Sequence, residues 1–247
     1  MIANKFGKKL DADSPILNLR LPDGSRMAAL IPPIVHPTPL LTIRKFTSRN
    51  FTMADLVERD MLTAEQATVL AESVRRGDNI LISGGTSSGK TTLLNVLADC
   101  IPAEERILIL EDTAELRIRK PHVVSAETQL DTNKTQIGFG DLLKAALRHR
   151  PDRIIVGEIR GAEARIFLDA LNTGHRGSLS TIHANSTTDA ISRLTALALR
   201  GQASGDIVAT RAEVERSLDR IVHVTRDGGI RRVAEMHTVR GAARASI

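Results

Sequence analysis

Between Ser83 and Cys100 the chain reads SGGTSSGKTTLLNVLADC. Gly84, four residues, then Gly89, Lys90 and Thr91 is a spacing suited to gripping phosphate oxygens. Glycines let successive backbone N–H groups curl around an oxyanion with no Cβ in the way, and the helix that follows adds its positive end. On this reading Gly84, Gly85, Thr86, Ser87 and Ser88 form the loop of a phosphate cradle, which Gly89, Lys90, Thr91 and Thr92 complete. Lys90 reaches the β- and γ-phosphates and Thr91 helps to hold Mg2+. The alternative is a glycine-rich turn that only caps a helix. The flanks favour the cradle, because RGDNILIS reads as a turn and a buried strand and TTLLNVLADCI as a helix.

Splitting a nucleoside triphosphate also needs an acid at the metal, a positioned water and positive charge for the transition state. Glu158 follows the apolar run Ile154–Val156 and fits the acid that holds Mg2+ or orients water, although Gly157-Glu158 stands where a strand-ending Asp is more familiar. Glu111 is the candidate general base, with Asp112 and Glu115 beside it. The residues alone do not rank Glu111 against Glu158. The plainer alternatives are a helix-start carboxylate for Glu158 and a solvated acidic turn for Glu111 to Glu115.

His183 stands at a strand end, where it can hydrogen-bond a γ-phosphate, and His175, in the loop entering that strand, is taken with it as a nucleotide-binding candidate. Two histidines eight apart without a third ligand make a poor zinc site, which leaves structural histidines as the rival reading. Arg148, Arg150, Arg153 and Arg160 bracket the RIIVGE segment and are candidates to clamp phosphate, with surface ion pairs as the alternative for each. Arg44 lies far away in sequence, where only a second domain swinging onto the nucleotide would bring its charge to bear.

These residues need a scaffold that gathers them. From Asn79 onward, short β-branched runs alternate with helical stretches, which predicts a mostly parallel sheet covered on both faces. ILIS runs into the loop, RILIL into Glu111-Asp112, RIIV into Gly157-Glu158 and SLSTI into His183-Ala184-Asn185. Ligands of open parallel sheets bind beyond the carboxyl ends of strands, so these clusters should meet. The end of the chain reads as a hairpin turned at Asp227-Gly228-Gly229. Before Asn50, LNLRL-PDG-SRMAALI reads as a hairpin and PTPLLTIRKF as another strand, and the prolines at 32, 33, 37 and 39 as a stiff lead into helices. The division expected is therefore 1–50 and 51–247, with Thr63 capping a helix that runs to Arg75.

The totals fit this picture. The 247 residues are 42% hydrophobic and 26% charged, an ordinary balance for a chain with a sizeable core. No stretch approaches a membrane span and MIANKFGKKLD has no apolar signal core, so a cytoplasmic location is expected. Cys100 is the single cysteine, which excludes an internal disulfide and a thiolate metal cluster. The net charge of +5 suggests an acidic partner, a membrane surface or nucleic acid. Five Phe with no Trp or Tyr leave few faces on which bases can stack.

Taken together, GGTSSGKTTLLN, ILILEDTAEL, LRHRPDRIIVGEIRGAEA and NTGHRGSLSTIHANS resemble the type II/IV secretion superfamily of traffic ATPases, in the order of its Walker A, Asp box, Walker B and His box. IRKF, RPDRIIVGEIRGAEA and TIHANS are most similar to the conjugative-transfer and tight-adherence pilus branch. The resemblance runs from about Ser14 to about Val239. It implies an α/β fold with a RecA-like P-loop NTPase core and a strand-rich N-terminal domain of which only the closing strands stand here. It also implies an ATPase motor using ATP and Mg2+, assembled as a homohexamer against inner-membrane platform proteins, with peripheral membrane contact and no sequence-specific nucleic acid. Residue by residue it makes Glu111 the Asp-box glutamate, Glu158 the Walker B acid, His183 the His-box histidine and Arg44 the N-domain arginine that reaches nucleotide on closure. The competing readings are a nucleic-acid translocase or helicase with a similar core and a nucleotide-binding regulatory subunit without turnover.

Overall fold

A computed structural model describes residues 2–45, 51–129, 136–202 and 204–239. The chain divides into two compact units, 1–50 and 51–247.

The first unit opens with α1 (Ile2–Lys5) and continues as an antiparallel sheet of β1 (Ile16–Arg20), β2 (Arg26–Leu30) and β3 (Leu40–Arg44), in that order. Period-2 alternation sends Leu17, Leu19, Met27 and Ala29 to one face, where they pack with Ala3. Asp23 closes the β1–β2 turn by accepting from the Ser25 N–H at 2.9 Å. The four clustered prolines join β2 to β3 inside this sheet. They are not the lead into the helices that their stiffness suggested, because the strand predicted after them pairs back onto β2.

The second unit runs α2 (Met53–Glu58), α3 (Ala64–Arg76), β4 (Ile80–Gly84), α4 (Lys90–Ala98), β5 (Ile107–Glu111), β6 (Val123–Glu127), α5 (Phe139–Ala146), a 3-10 turn at Leu147–His149, β7 (Arg153–Ile159), α6 (Glu163–Asn172), β8 (Leu179–Ile182), α7 (Thr187–Arg200), α8 (Ile207–Ser217), β9 (Arg220–Asp227) and β10 (Ile230–Thr238). Thr63 caps α3 with a capping box to Gln66, and Gly77 ends it in the left-handed conformation. Seven strands form one sheet in the order β10-β9-β4-β8-β7-β5-β6, all parallel except β10. This is an α/β fold of the RecA-like kind. The central strands are buried along their whole length, as ILISG and ILILE require, and a separate apolar core fills each face. Each fully buried Leu or Ile contributes about 1.5–3 kcal/mol of transfer free energy.

β9 and β10 pair Asp227 with Ile230 across Gly228-Gly229, both at positive φ, which is the two-residue turn that a twisted hairpin favours. α8 has no counterpart in the sequence reading. It buries Thr210, Val214 and Ser217 while Ile207 and Val208 face solvent, so two of its three large apolar residues lie off its inner face. Among the described residues no helix is long and apolar enough to cross a membrane.

Candidate active site

The loop after β4 has the backbone that a phosphate cradle needs. Gly84 sits at φ 154°, and a Cβ there would lie 2.3 Å from the Val224 carbonyl oxygen and 2.7 Å from Ser88 Oγ. No side chain fits without moving backbone. Ser87 takes a left-handed φ of 59°, and α4 begins at Lys90 with Gly89 as a cap that lends no side-chain hydrogen bond. The first-turn N–H groups of α4, including that of Thr91, therefore keep no intrahelical partner and present positive potential to the loop. Ser88 Oγ is buried without a hydrogen-bond partner. An empty Cβ position, an orphaned hydroxyl and a helix N-terminus together fit a phosphate group. Thr86 and Gly85 are exposed at the loop's tip, and Thr92 is half-buried on α4.

Lys90 is 7% exposed, and its Nζ donates to the carbonyls of Gly84 at 2.9 Å and Gly85 at 2.8 Å. Burial lowers its pKa, partly opposed by Glu158. The same ammonium lies 3.3 Å from His183 Nδ1. An ammonium only donates, so Nδ1 accepts and the imidazole proton sits on Nε2. That nitrogen is 3.1 Å from Glu158 Oε1, a close approach that is not aligned as a hydrogen bond. Arg160 continues the chain of charges, from NH2 to Glu158 Oε2 at 2.7 Å and from NH1 to Asp112 Oδ2 at 3.0 Å. Burial alone would raise the Glu158 pKa. The hydrogen bond and charge of Arg160, helped by His183 and Lys90, overcome it and hold this carboxyl below the usual range.

Glu111 is different in kind. It is 4% exposed, and its Oε1 accepts from the N–H groups of Glu115 at 2.9 Å and Leu116 at 3.0 Å. Burial pushes its pKa up to about 7, against the smaller lowering from those two bonds. Its side chain lies across Gly157, where a Cβ would come within 2.9 Å of Glu111 Cγ. The glycine before Glu158 thus has a steric reason, since β7 passes close beneath the Glu111 side chain. The register of β7 against β8 shifts between Val156 and Ile159, and Thr181 Oγ1 donates to the Gly157 carbonyl at 2.7 Å.

The strand ends therefore bring Lys90, Glu111, Asp112, Glu158, Arg160 and His183 to one edge of the sheet. Four expected residues lie elsewhere. β8 begins opposite the starts of β4 and β7, with Leu179 paired to Ile80 and Ile155. His175 precedes it and so lies at the far edge from Gly84. Arg148, Arg150 and Arg153 precede or open β7 at that same far edge, and Arg153 is buried in an ion pair with Glu105. Sequence proximity to a motif did not reveal which end of a strand each residue occupies. Arg44 is exposed at the end of β3 in the first unit.

Two contacts escaped the sequence reading. Ser83 Oγ lies 2.9 Å from His223 Nδ1 on β9, and Arg231 Nε on β10 donates to the Ser87 carbonyl at 3.0 Å. Both join segments about 140 residues apart, and only the strand order could have announced them. Among the described residues no group of three or more His, Cys, Asp or Glu is arranged to hold a metal unaided. A divalent ion here would need Thr91, Glu158 and substrate oxygens, which suits Mg2+.

Residues 3–237 match the family described as Type II/IV secretion system protein. The conjugal transfer protein TrbB of Rhizobium radiobacter is 39% identical over 244 residues, covering 97% of this chain and 72% of its own length. The type IV secretion system protein VirB11 of Bartonella quintana is 32% identical over 274 residues, covering 96% and 77%. The crystal structure of the VirB11 ATPase from the Brucella suis type IV secretion system, in complex with sulphate, is 27% identical with a TM-score of 0.66, covering 96% of this chain and 80% of that one. A family match across nearly the whole sequence, over strand ends that converge on a nucleotide loop, leads to one conclusion: the chain belongs to the type II/IV secretion system protein family, the ATPases of secretion and conjugation.

Proposed function

We propose that this chain hydrolyses Mg2+-ATP with Glu111 as general base and Glu158 as the ionised acid on the metal side. The observation that carries the reading is the separation of the two carboxyls, Glu111 pushed up to about 7 and Glu158 held below its usual range. A base must accept a proton near working pH, whereas a metal-side acid must stay ionised. Bound Mg2+, held by Thr91 and Glu158, would neutralise charge on the β- and γ-phosphates. Lys90 exchanges the Gly84 and Gly85 carbonyls for phosphate oxygens. Glu111 takes the proton of the attacking water, and the Nε2 proton of His183 is available to a γ-phosphate oxygen.

Arg160 and Arg44 supply positive charge as the γ-phosphate leaves. Arg44 does so from the first unit, which couples nucleotide state to domain closure. A further reading follows from the family resemblance, and the names of the relatives support its setting in a conjugation or secretion system. Copies of the chain form a homohexameric ring on the cytoplasmic face of the inner membrane and work on platform proteins there, without sequence-specific nucleic acid.

The test is ATP hydrolysis per subunit as a function of protein concentration, with Mg2+ and an E158Q control. The expected outcome is a specific rate that climbs with concentration and is absent in the control. A rate that is unchanged in E158Q would refute the assignment of that acid.

A further inference from the structure

Outside the residues already given roles, one side chain grips the phosphate loop by a carbonyl. Arg231, near the start of β10, donates from Nε to the Ser87 oxygen at 3.0 Å. Its Cδ and the Met61 Cε each lie 3.1 Å from where a Cβ on Gly89 would stand. The same hairpin braces the loop twice more, through the Val224 carbonyl against Gly84 and through His223 beside Ser83. The Val233 N–H, two residues beyond Arg231, donates to the Met61 carbonyl at 2.8 Å and ties β10 to the connection between α2 and α3.

A phosphate loop works when its N–H groups point inward, which obliges carbonyls to point outward. Ser87 is a non-glycine residue in the left-handed region, so its peptide is one that a rival conformation would relieve. A guanidinium N–H on its carbonyl opposes that flip with a charge-assisted hydrogen bond.

We propose that Arg231 is a positioning residue for the phosphate loop. By holding the Ser87 carbonyl outward it presets the cradle and sets nucleotide affinity, while hydrolysis is left to the groups at the strand ends. The proposal rests on the reading of this loop as the nucleotide site.

The test compares wild type with R231A, R232A and K90A, using the Kd for a fluorescent ADP analogue and the kcat and KM for ATP. Arg232 is next on the strand and projects to the opposite face, so R232A removes the same charge without the loop contact. R231A should raise Kd and KM about tenfold, the loss of one hydrogen bond to a charged group, with kcat at saturation unchanged. R232A should stay within about twofold of wild type, since removing a surface charge typically costs under 0.5 kcal/mol. A Kd for R231A near wild type, a fall in kcat with KM unchanged, or an equal shift in R232A would each overturn the proposal. If R231A melts early, Arg231→Met keeps the stem against Gly89 and Met61 and gives the same readout. Unimpaired binding by K90A would instead sink the phosphate-loop reading itself, whatever Arg231 does.

Discussion

Replacing Glu111 by Gln should stabilise the protein while abolishing turnover, and the gain should depend on pH. The folded-state pKa of about 7 lies above the ordinary value of 4.5. A carboxyl shifted in this direction favours the folded state fully below the unfolded pKa and loses that advantage as pH rises through the folded one. Two and a half units at 1.36 kcal/mol each give about 3 kcal/mol of penalty above pH 7, an upper bound because water entry and relaxation reduce it. Gln carries no charge and keeps an Oε1 for the N–H groups of Glu115 and Leu116. Urea unfolding of the nucleotide-free protein at pH 5, 6, 7 and 8 should therefore show E111Q and wild type close together at pH 5. E111Q should then pull ahead by up to roughly 3 kcal/mol at pH 8. A difference that stays constant across this range, or a wild type that is the more stable at pH 8, would refute the account of Glu111 as a carboxyl whose proton affinity comes from burial.

Gly157→Ala should cut ATP hydrolysis while sparing nucleotide binding, because the new methyl displaces the Glu111 side chain, an overpacking cost of about 1–3 kcal/mol. Steady-state rates beside a binding isotherm test it. Removing Arg160 should let burial dominate at Glu158, so R160A should move that carboxyl's pKa upward, read by NMR titration of the nucleotide-free protein. His175→Ala should leave nucleotide affinity at wild-type level, since the loop carrying it enters β8 at the edge remote from Gly84.

The framework of this fold was legible because its signals are local. The alternation of ILIS, RILIL, RIIV and SLSTI with helical stretches announced a parallel sheet. The spacing of Gly84, Gly89 and Lys90 announced the loop, and Gly228-Gly229 the hairpin. The Glu111 and Glu158 pair was visible as chemistry, but their different proton affinities were not. Those depend on how deeply each carboxyl is buried and on which arginine reaches it. His175 and Arg153 misled because strand polarity, rather than distance along the chain, decides which edge a residue occupies. α8 was missed because Ile207 and Val208, two of its three large apolar residues, are exposed and only Val214 is buried, so no apolar stripe marks the helix. Arg231 carried no signal of its own, for its partner is the carbonyl of a residue in a distant loop.

The burial of Glu111 at the end of β5, against Gly157 of the neighbouring strand β7, also bears on how the enzyme meets its ionic surroundings. Dissolved salt screens interactions between exposed charges, almost completely beyond a Debye length of about 8–10 Å, and it does little to a group whose proton affinity reflects exclusion from water. The acidic limb of the rate profile, where Glu111 takes up its proton, should keep its position from dilute buffer to high salt. Arg160, whose side chain is largely exposed, is the main influence lowering the Glu158 pKa, so that part of the shift is open to screening. Changes in cellular ionic strength would then shift the grip on the metal side of the site while leaving the proton-accepting side as it was.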